Sequence, residues 1–268
     1  MKRVMSRTRP KAPTSKSLDD FSSELHYGGD RATILSLNER IRQILAEAGV
    51  DPEVAASVDA ERAAKKNYAQ RLSEAVAQKT ADGLRPKFKG ILPDESGGGR
   101  ESNVHGAAGL KRIDVNYMTP QMGLGLAVSI KTCNFADSGS GRFTKNLRRI
   151  DGELRAEAED VHARQPYAVL AGIILMPREA TMDGSKGVSS AGHAKDVFRR
   201  RAGRKVHDDA VTLFERLFIG IYETDVASFG AVEFFDVLKD TDFRKGGGAL
   251  FSAVLKDIEV AFLRRNQP

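Results

Sequence analysis

An acid and a lysine in two neighbouring strand-like stretches mark the place where chemistry is most legible in this chain. Asp114 stands in Lys111-Arg112-Ile113-Asp114-Val115-Asn116-Tyr117, and Lys131 falls near the end of Leu126-Ala127-Val128-Ser129-Ile130-Lys131-Thr132. Both stretches alternate and are rich in β-branched residues, the pattern of strands. The connection between them carries Pro120, Gly123 and Gly125. This layout predicts one carboxylate and one ammonium side by side at the edge of a small sheet. Hydrolysis of a phosphodiester needs a divalent cation to polarise the phosphate and activate water. Mg²⁺ takes oxygen ligands, through one or two carboxylates together with substrate phosphate. A lysine nearby stabilises charge in the transition state or helps to orient and deprotonate the water. Asp114 and Lys131 are of the right types for those roles. Each by itself also has a plain structural use, the lysine as protection of a strand edge and the aspartate as the mark of a bulge or turn.

The surrounding elements follow from periodicity and from breakers. Residues 33–48 predict an amphipathic helix with Ile34, Leu37, Ile41, Ile44 and Leu45 on one face, stopped by Gly49. A longer helix is predicted over 52–84, with an apolar line through Tyr68, Leu72, Val76 and Leu84, and Pro86 ending it. Residues 93–109 read as a glycine-rich loop holding one short strand at 101–105. Residues 134–144 read as a polar loop. A strongly charged helix over 145–164 is closed by Pro166, and 167–176 is a continuous apolar strand of the kind buried on both faces. A loop over 177–191, a basic helical segment over 194–210, strands at 213–222 and 231–237 and a final helix over 249–265 complete the order. That helix carries Leu250, Val254, Ile258, Ala261 and Phe262 on one side. The sum is a mixed α/β arrangement with helices flanking one central sheet.

In these residues the chain resembles the PD-(D/E)XK nuclease superfamily, which includes many restriction endonucleases. The family pattern is an Asp on one strand, Glu/Asp-x-Lys on the next, then a helix and another strand. Asp114 matches the Asp, and Ser129-Ile130-Lys131 falls where Glu/Asp-x-Lys should be. The helix over 145–164 and the strand over 167–176 follow in the expected order. The resemblance covers residues 55–176. It implies a restriction-endonuclease-like core with a central mixed sheet flanked by helices, Mg²⁺ as cofactor, and Asp114 as a metal ligand beside Lys131. Ser129 departs from the pattern, because a hydroxyl supplies no charge where the family has its second carboxylate. Three acids are candidates to replace it. Glu101 ranks first, since a hairpin through Gly106 and Gly109 sets it beside Asp114, where it would share the metal. Glu61 ranks second, on the core side of the long helix in line with Tyr68 and Leu72. Glu74 ranks third, turned away from that line.

The formal net charge is +6 over 268 residues, which points toward a polyanionic partner, most simply double-stranded DNA. Candidate phosphate contacts are Lys145, Arg148 and Arg149 on the charged helix, with Arg155 behind them, and Arg199, Arg200, Arg201, Arg204 and Lys205 in the basic segment. His162 reads as a helix C-terminal residue with a favourable dipole contact. The single cysteine, Cys133, excludes an intramolecular disulfide and a multi-cysteine zinc site. No stretch approaches the roughly 18 apolar residues of a membrane span. With no hydrophobic signal region at the start, a cytoplasmic location is expected. Gly220-Ile221-Tyr222 lacks the second half of a GIY-YIG nuclease, and Lys245-Gly246-Gly247-Gly248 lacks the ending of a P-loop. The expected organisation is a disordered basic tail over 1–16, an N-terminal helical appendage over 17–50, a nuclease core over 51–240 and a C-terminal helix over 241–268. The expected function is a Mg²⁺-dependent DNA endonuclease of restriction or genome-defence type, as a homodimer or a defence-complex subunit. The alternatives are a non-cleaving nucleic-acid-binding protein with a degenerate nuclease fold, and a nuclease subunit active only in a larger complex.

Overall fold

Two apolar faces on one sheet organise the chain. The computed structural model describes residues 58–137, 139–184, 187–223 and 231–266, with side chains described at residue 66 and from residue 69 onward. The expected basic tail and N-terminal appendage lie outside the described residues. In chain order the elements are α1 (Val58–Leu84), β1 (Ser102–His105), β2 (Leu110–Ile113), β3 (Val115–Thr119), β4 (Gly123–Thr132), α2 (Leu147–Arg164), β5 (Val169–Pro177), a 3₁₀ turn (Arg178–Thr181), α3 (Ser190–Arg199), β6 (Arg216–Tyr222), β7 (Val232–Asp236) and α4 (Phe251–Asn266).

The main sheet has five strands in the order β3-β4-β5-β6-β7. β4, β5 and β6 run parallel, while the outer strands β3 and β7 pair antiparallel. Parallel neighbours need a crossover connection, and α2 and α3 supply the two crossovers. Both helices cover one face, where Ile150, Leu154, Val161, Ala194 and Phe198 meet Leu170, Ile174 and Leu217. α1 and α4 cover the other, where Ala77, Ala81, Val254 and Ile258 meet Val128, Ile130, Ile173 and Phe218. Every residue of β5 is buried, as its unbroken apolar run predicts for a central parallel strand. The architecture is therefore α/β, a mixed sheet between two helical layers.

Three local expectations are corrected. The stretch from 111 to 117 is not one strand. It breaks at Asp114 because β2 pairs with β1 in a separate ribbon whereas β3 joins the main sheet. The basic helix expected over 194–210 starts earlier, at Ser190, after Ser189, whose hydroxyl accepts from Gly192 N as its cap, and it ends at Arg199. Beyond it the backbone turns through Gly203 at φ 103°, a left-handed conformation that glycine adopts without a Cβ penalty. That turn aims Arg204 inward. The final helix, expected over 241–268 apart from a core over 51–240, packs into that core. Val254, Ile258 and Ala261 are buried in the core, and Phe234 exchanges backbone hydrogen bonds with Ala249 just before the helix, so residues beyond 240 close the fold.

Candidate active site

The break at Asp114 positions the first acid. Val115 pairs with Val128, so Asp114 stands one step on, opposite Ser129. Its Oδ2 accepts a 2.6 Å hydrogen bond from the Ile130 amide, which fixes the carboxylate against β4. Ser102 pairs with Ile113 in the hairpin closed between Gly106 and Gly109, so Glu101 stands across from Asp114, as the glycine spacing predicts. Glu101 has a left-handed φ of 47°, unusual for a residue with a Cβ. Its carboxylate is half exposed and faces Arg112 Nη1 at 3.6 Å.

Alternation along β4 puts Ser129, Lys131 and Cys133 on the face that α2 covers. There they meet an acid that strand logic does not reveal. Glu157 on α2 is 4 % exposed. Its Oε2 accepts from Ser129 Oγ at 3.1 Å and lies 3.6 Å from Lys131 Nζ. Its other oxygen, Oε1, is buried and has no hydrogen-bond partner. Burial pushes the Glu157 carboxyl up, Lys131 pulls it down, and the nearby Asp114 charge raises it again. Burial likewise raises Asp114, against the pull of the Ile130 amide and of Lys131. Two mutually repelling carboxylates held near one lysine are the geometry that a divalent cation relieves. A carboxylate from a helix thus reaches the Ser129 position through space. Glu101 stands across from Asp114 and raises its carboxyl, while the acid that contacts Ser129 and Lys131 is Glu157.

The sequence signal for Glu157 was its spacing. Ile150, Leu154 and Val161 form the buried stripe of α2, and Glu157 falls on that stripe, three residues after Leu154 and four before Val161. A lone acid on an apolar face is expensive unless paired. Glu61 lies in α1, its side chain outside the described residues. Glu74 does face the site, contrary to the helical-face reading, and sits 3.8 Å from Arg100 Nη1.

A cleft of about 630 Å³ opens at the C-terminal end of β4 between α1 and α2. Asp114, Glu101, Lys131 and Arg149 line it, with Glu157 directly behind Lys131. Crevices outside the carboxyl ends of strands are the usual ligand sites of open α/β sheets. Among the described residues no group of three or more His, Cys, Asp or Glu side chains is placed to hold a metal by itself. Two carboxylates with one unpaired oxygen fit a Mg²⁺ that completes its shell with water and phosphate.

The predicted phosphate contacts divide. Arg149 lines the cleft and pairs with Glu153. Lys145 is exposed and pairs with Asp137 at 3.1 Å, and Arg148 is exposed on the same helix end. The 199–205 cluster lies elsewhere. Gly203 and Arg204 donate backbone hydrogen bonds to Phe214, just before β6, which puts them at the N-terminal end of the parallel strands, away from the cleft. Arg204 is fully buried on Glu215 at 3.0 Å, and Arg201 grips both oxygens of Asp151 at 2.7 and 2.9 Å. Those two guanidiniums are structural and unavailable to phosphate. Arg199, Arg200 and Lys205 are exposed there. His162 is also buried, its Nδ1 3.1 Å from Val211 O and its Nε2 3.6 Å from Glu215, so it is a core residue and not a surface cap.

Comparison of the chain with protein-family models, with curated proteins and with solved structures finds no match. Among the described residues no helix is long and apolar enough to cross a membrane.

Proposed function

We propose that this chain is a Mg²⁺-dependent DNA endonuclease of restriction or genome-defence type, built on a restriction-endonuclease-like core. The observation that carries the reading is Glu157, a buried carboxylate contacting both Ser129 and Lys131 with one oxygen unpaired, beside Asp114. Asp114 and Glu157 would hold the metal. Bound there, Mg²⁺ supplies Lewis-acid polarisation of the phosphate and a more acidic water. Ser129 orients Glu157 through its hydroxyl. Lys131, an ammonium at the cleft wall, orients the attacking water and offsets charge on the phosphorane. Arg149 in the first turn of α2 and Lys66 on α1 place positive charge on opposite walls, suited to a phosphate backbone passing between them.

Nicking of supercoiled plasmid with Mg²⁺ tests the reading. The chain is expected to cut, and Lys131→Ala and Glu157→Gln each to lose about 10²-fold or more in rate. Introducing Ser129→Glu into Glu157→Gln is expected to return part of the activity, because the strand position then supplies the lost charge. A purified chain that binds DNA but never cuts it would overturn the proposal.

A second reading, a nucleic-acid-binding protein without cleavage, is favoured by one observation. Glu157 Oε2 already serves Ser129 and Lys131, the arrangement of a structural counterion for a half-buried lysine. The same assay separates the two readings.

A further inference from the structure

Asn134 lies just past the end of β4, in the wall of the same cleft as Asp114 and Lys131. It is 4 % exposed. With its amide oriented so that Oδ1 accepts from Tyr222 Oη at 3.2 Å, Nδ2 is buried and has no acceptor. The backbone there is an extension of the sheet, because Cys133 N donates to Leu175 O. Tyr222 ends β6. The amide is therefore held by rigid strands at both of its ends, and its free donor belongs to the end of the sheet where the cleft opens.

A buried donor without a partner costs free energy, and native proteins retain few of them. Asparagine side chains are recurrent donors to oxyanions at acyl-transfer centres, and the same preorganised donor suits an oxygen on which charge develops during phosphoryl transfer. Glu157 Oε1, behind Lys131, and Asn134 Nδ2, in the cleft wall, are thus two unpaired buried atoms of opposite polarity. One suits a cation, the other an anionic oxygen.

Resting on the nuclease reading, we propose that Asn134 is a further catalytic residue. Its amide donates to a non-bridging oxygen of the scissile phosphate, and Tyr222 is the positioning residue that holds it. The ligand is a phosphodiester within a nucleic-acid strand, and charge accumulating on that oxygen during attack strengthens the bond.

The test measures single-turnover cleavage of a labelled duplex at saturating full-length protein, with Mn²⁺ affinity and thermal midpoint measured in parallel. Asn134→Ala is expected to lower the saturated rate by about 10²-fold, the usual loss of one oxyanion donor. Its Mn²⁺ affinity is expected to stay within about twofold, since the amide is not a ligand of the metal. Asn134→Leu keeps the branched shape without the donor and is expected to behave alike. Tyr222→Phe is expected to show a smaller loss in rate with an unchanged KM, because it acts only through the amide. A cleaving wild type whose Asn134→Ala and Asn134→Leu forms cut at the same rate overturns the assignment alone. Loss of rate only in step with a lowered thermal midpoint also overturns it, as that marks a structural residue. Absence of cleavage by the unaltered chain, despite Mn²⁺ binding, overturns the nuclease reading and this assignment together.

Discussion

Asp114 and Glu157 are each raised by burial; the Asp114 charge raises Glu157 further, and Glu101 raises Asp114. A carboxyl whose folded pKa exceeds its unfolded value stabilises the fold fully below the unfolded pKa. That contribution is lost as pH rises through the folded pKa. The metal-free protein therefore gives up stability at this pair between acid and neutral pH. A divalent cation binds only the ionised pair and returns the stability by mass action. The rise in thermal midpoint on adding millimolar Mg²⁺ is expected to be larger near about pH 8 than near about pH 5, and to vanish in Glu157→Gln. Equal shifts at both pH values, or an undiminished shift in the variant, count against a metal at these carboxylates. Cys133 belongs to the same strand face but not to this chemistry. Burial pushes its thiol up to about 11, and its Sγ contacts Phe143 O at 2.9 Å.

At the scale of elements, a second buried charge cluster holds the end of the sheet opposite the cleft. Glu215, just before β6, accepts from the Leu170 amide at 2.7 Å. It also faces Arg204 at 3.0 Å, Arg265 of α4 at 2.9 Å and His162 of α2 at 3.6 Å. One carboxylate thus ties helices from both layers to the starts of β5 and β6. Burial raises Glu215, but His162, the Leu170 amide and Arg204 outweigh it and hold the carboxyl below its ordinary value. Glu215→Gln is expected to lower unfolding free energy by about 3–5 kcal/mol, because it leaves two buried guanidiniums without this carboxylate. Urea denaturation reads the change, and a loss below about 1 kcal/mol would class the cluster with solvated surface pairs. This cluster explains why Arg204 sits in a basic run yet never reaches the surface.

For the whole molecule, the question is how a mildly basic chain meets a polyanion. The cleft is close to electrically balanced: Lys66, Arg100, Arg112, Lys131 and Arg149 line it with Glu74, Glu101, Asp114 and Glu153. Several of these are partnered in exposed pairs such as Arg112–Glu101 and Arg149–Glu153. Such pairs are worth about 0–1 kcal/mol, so a phosphate displaces the carboxylate at little cost. Under the proposed function, metal on the central acids would tip the cleft positive. Arg149→Ala and Lys66→Ala are each expected to reduce the salt dependence of DNA affinity by about one phosphate contact, a slope change of about 0.9. Arg200→Ala and Lys205→Ala, at the far end of the sheet, are expected to leave the slope unchanged. Titrations in Ca²⁺ at several salt concentrations measure this, and the reverse pattern would move the DNA path to the far end.

Local sequence determined the elements. An unbroken apolar run marked β5, helical spacing marked α4, charge and the closing Pro166 marked α2, and the glycines at 106 and 109 marked the hairpin that sets Glu101 across from Asp114. These depend on residues near one another in the chain, where period and turn chemistry act directly. Asp114, Ser129 and Lys131 were likewise visible as a strand pattern. Only the tertiary structure decided which acid stands at Ser129, because Glu157 comes from a helix whose face is set by packing on the sheet and not by spacing to β4. The same packing turned Arg201 and Arg204 inward, split one expected strand at Asp114 and drew the last helix into the core. Partners brought together by the sheet leave no short-range trace, so Glu157 was legible only as an acid out of place on an apolar stripe.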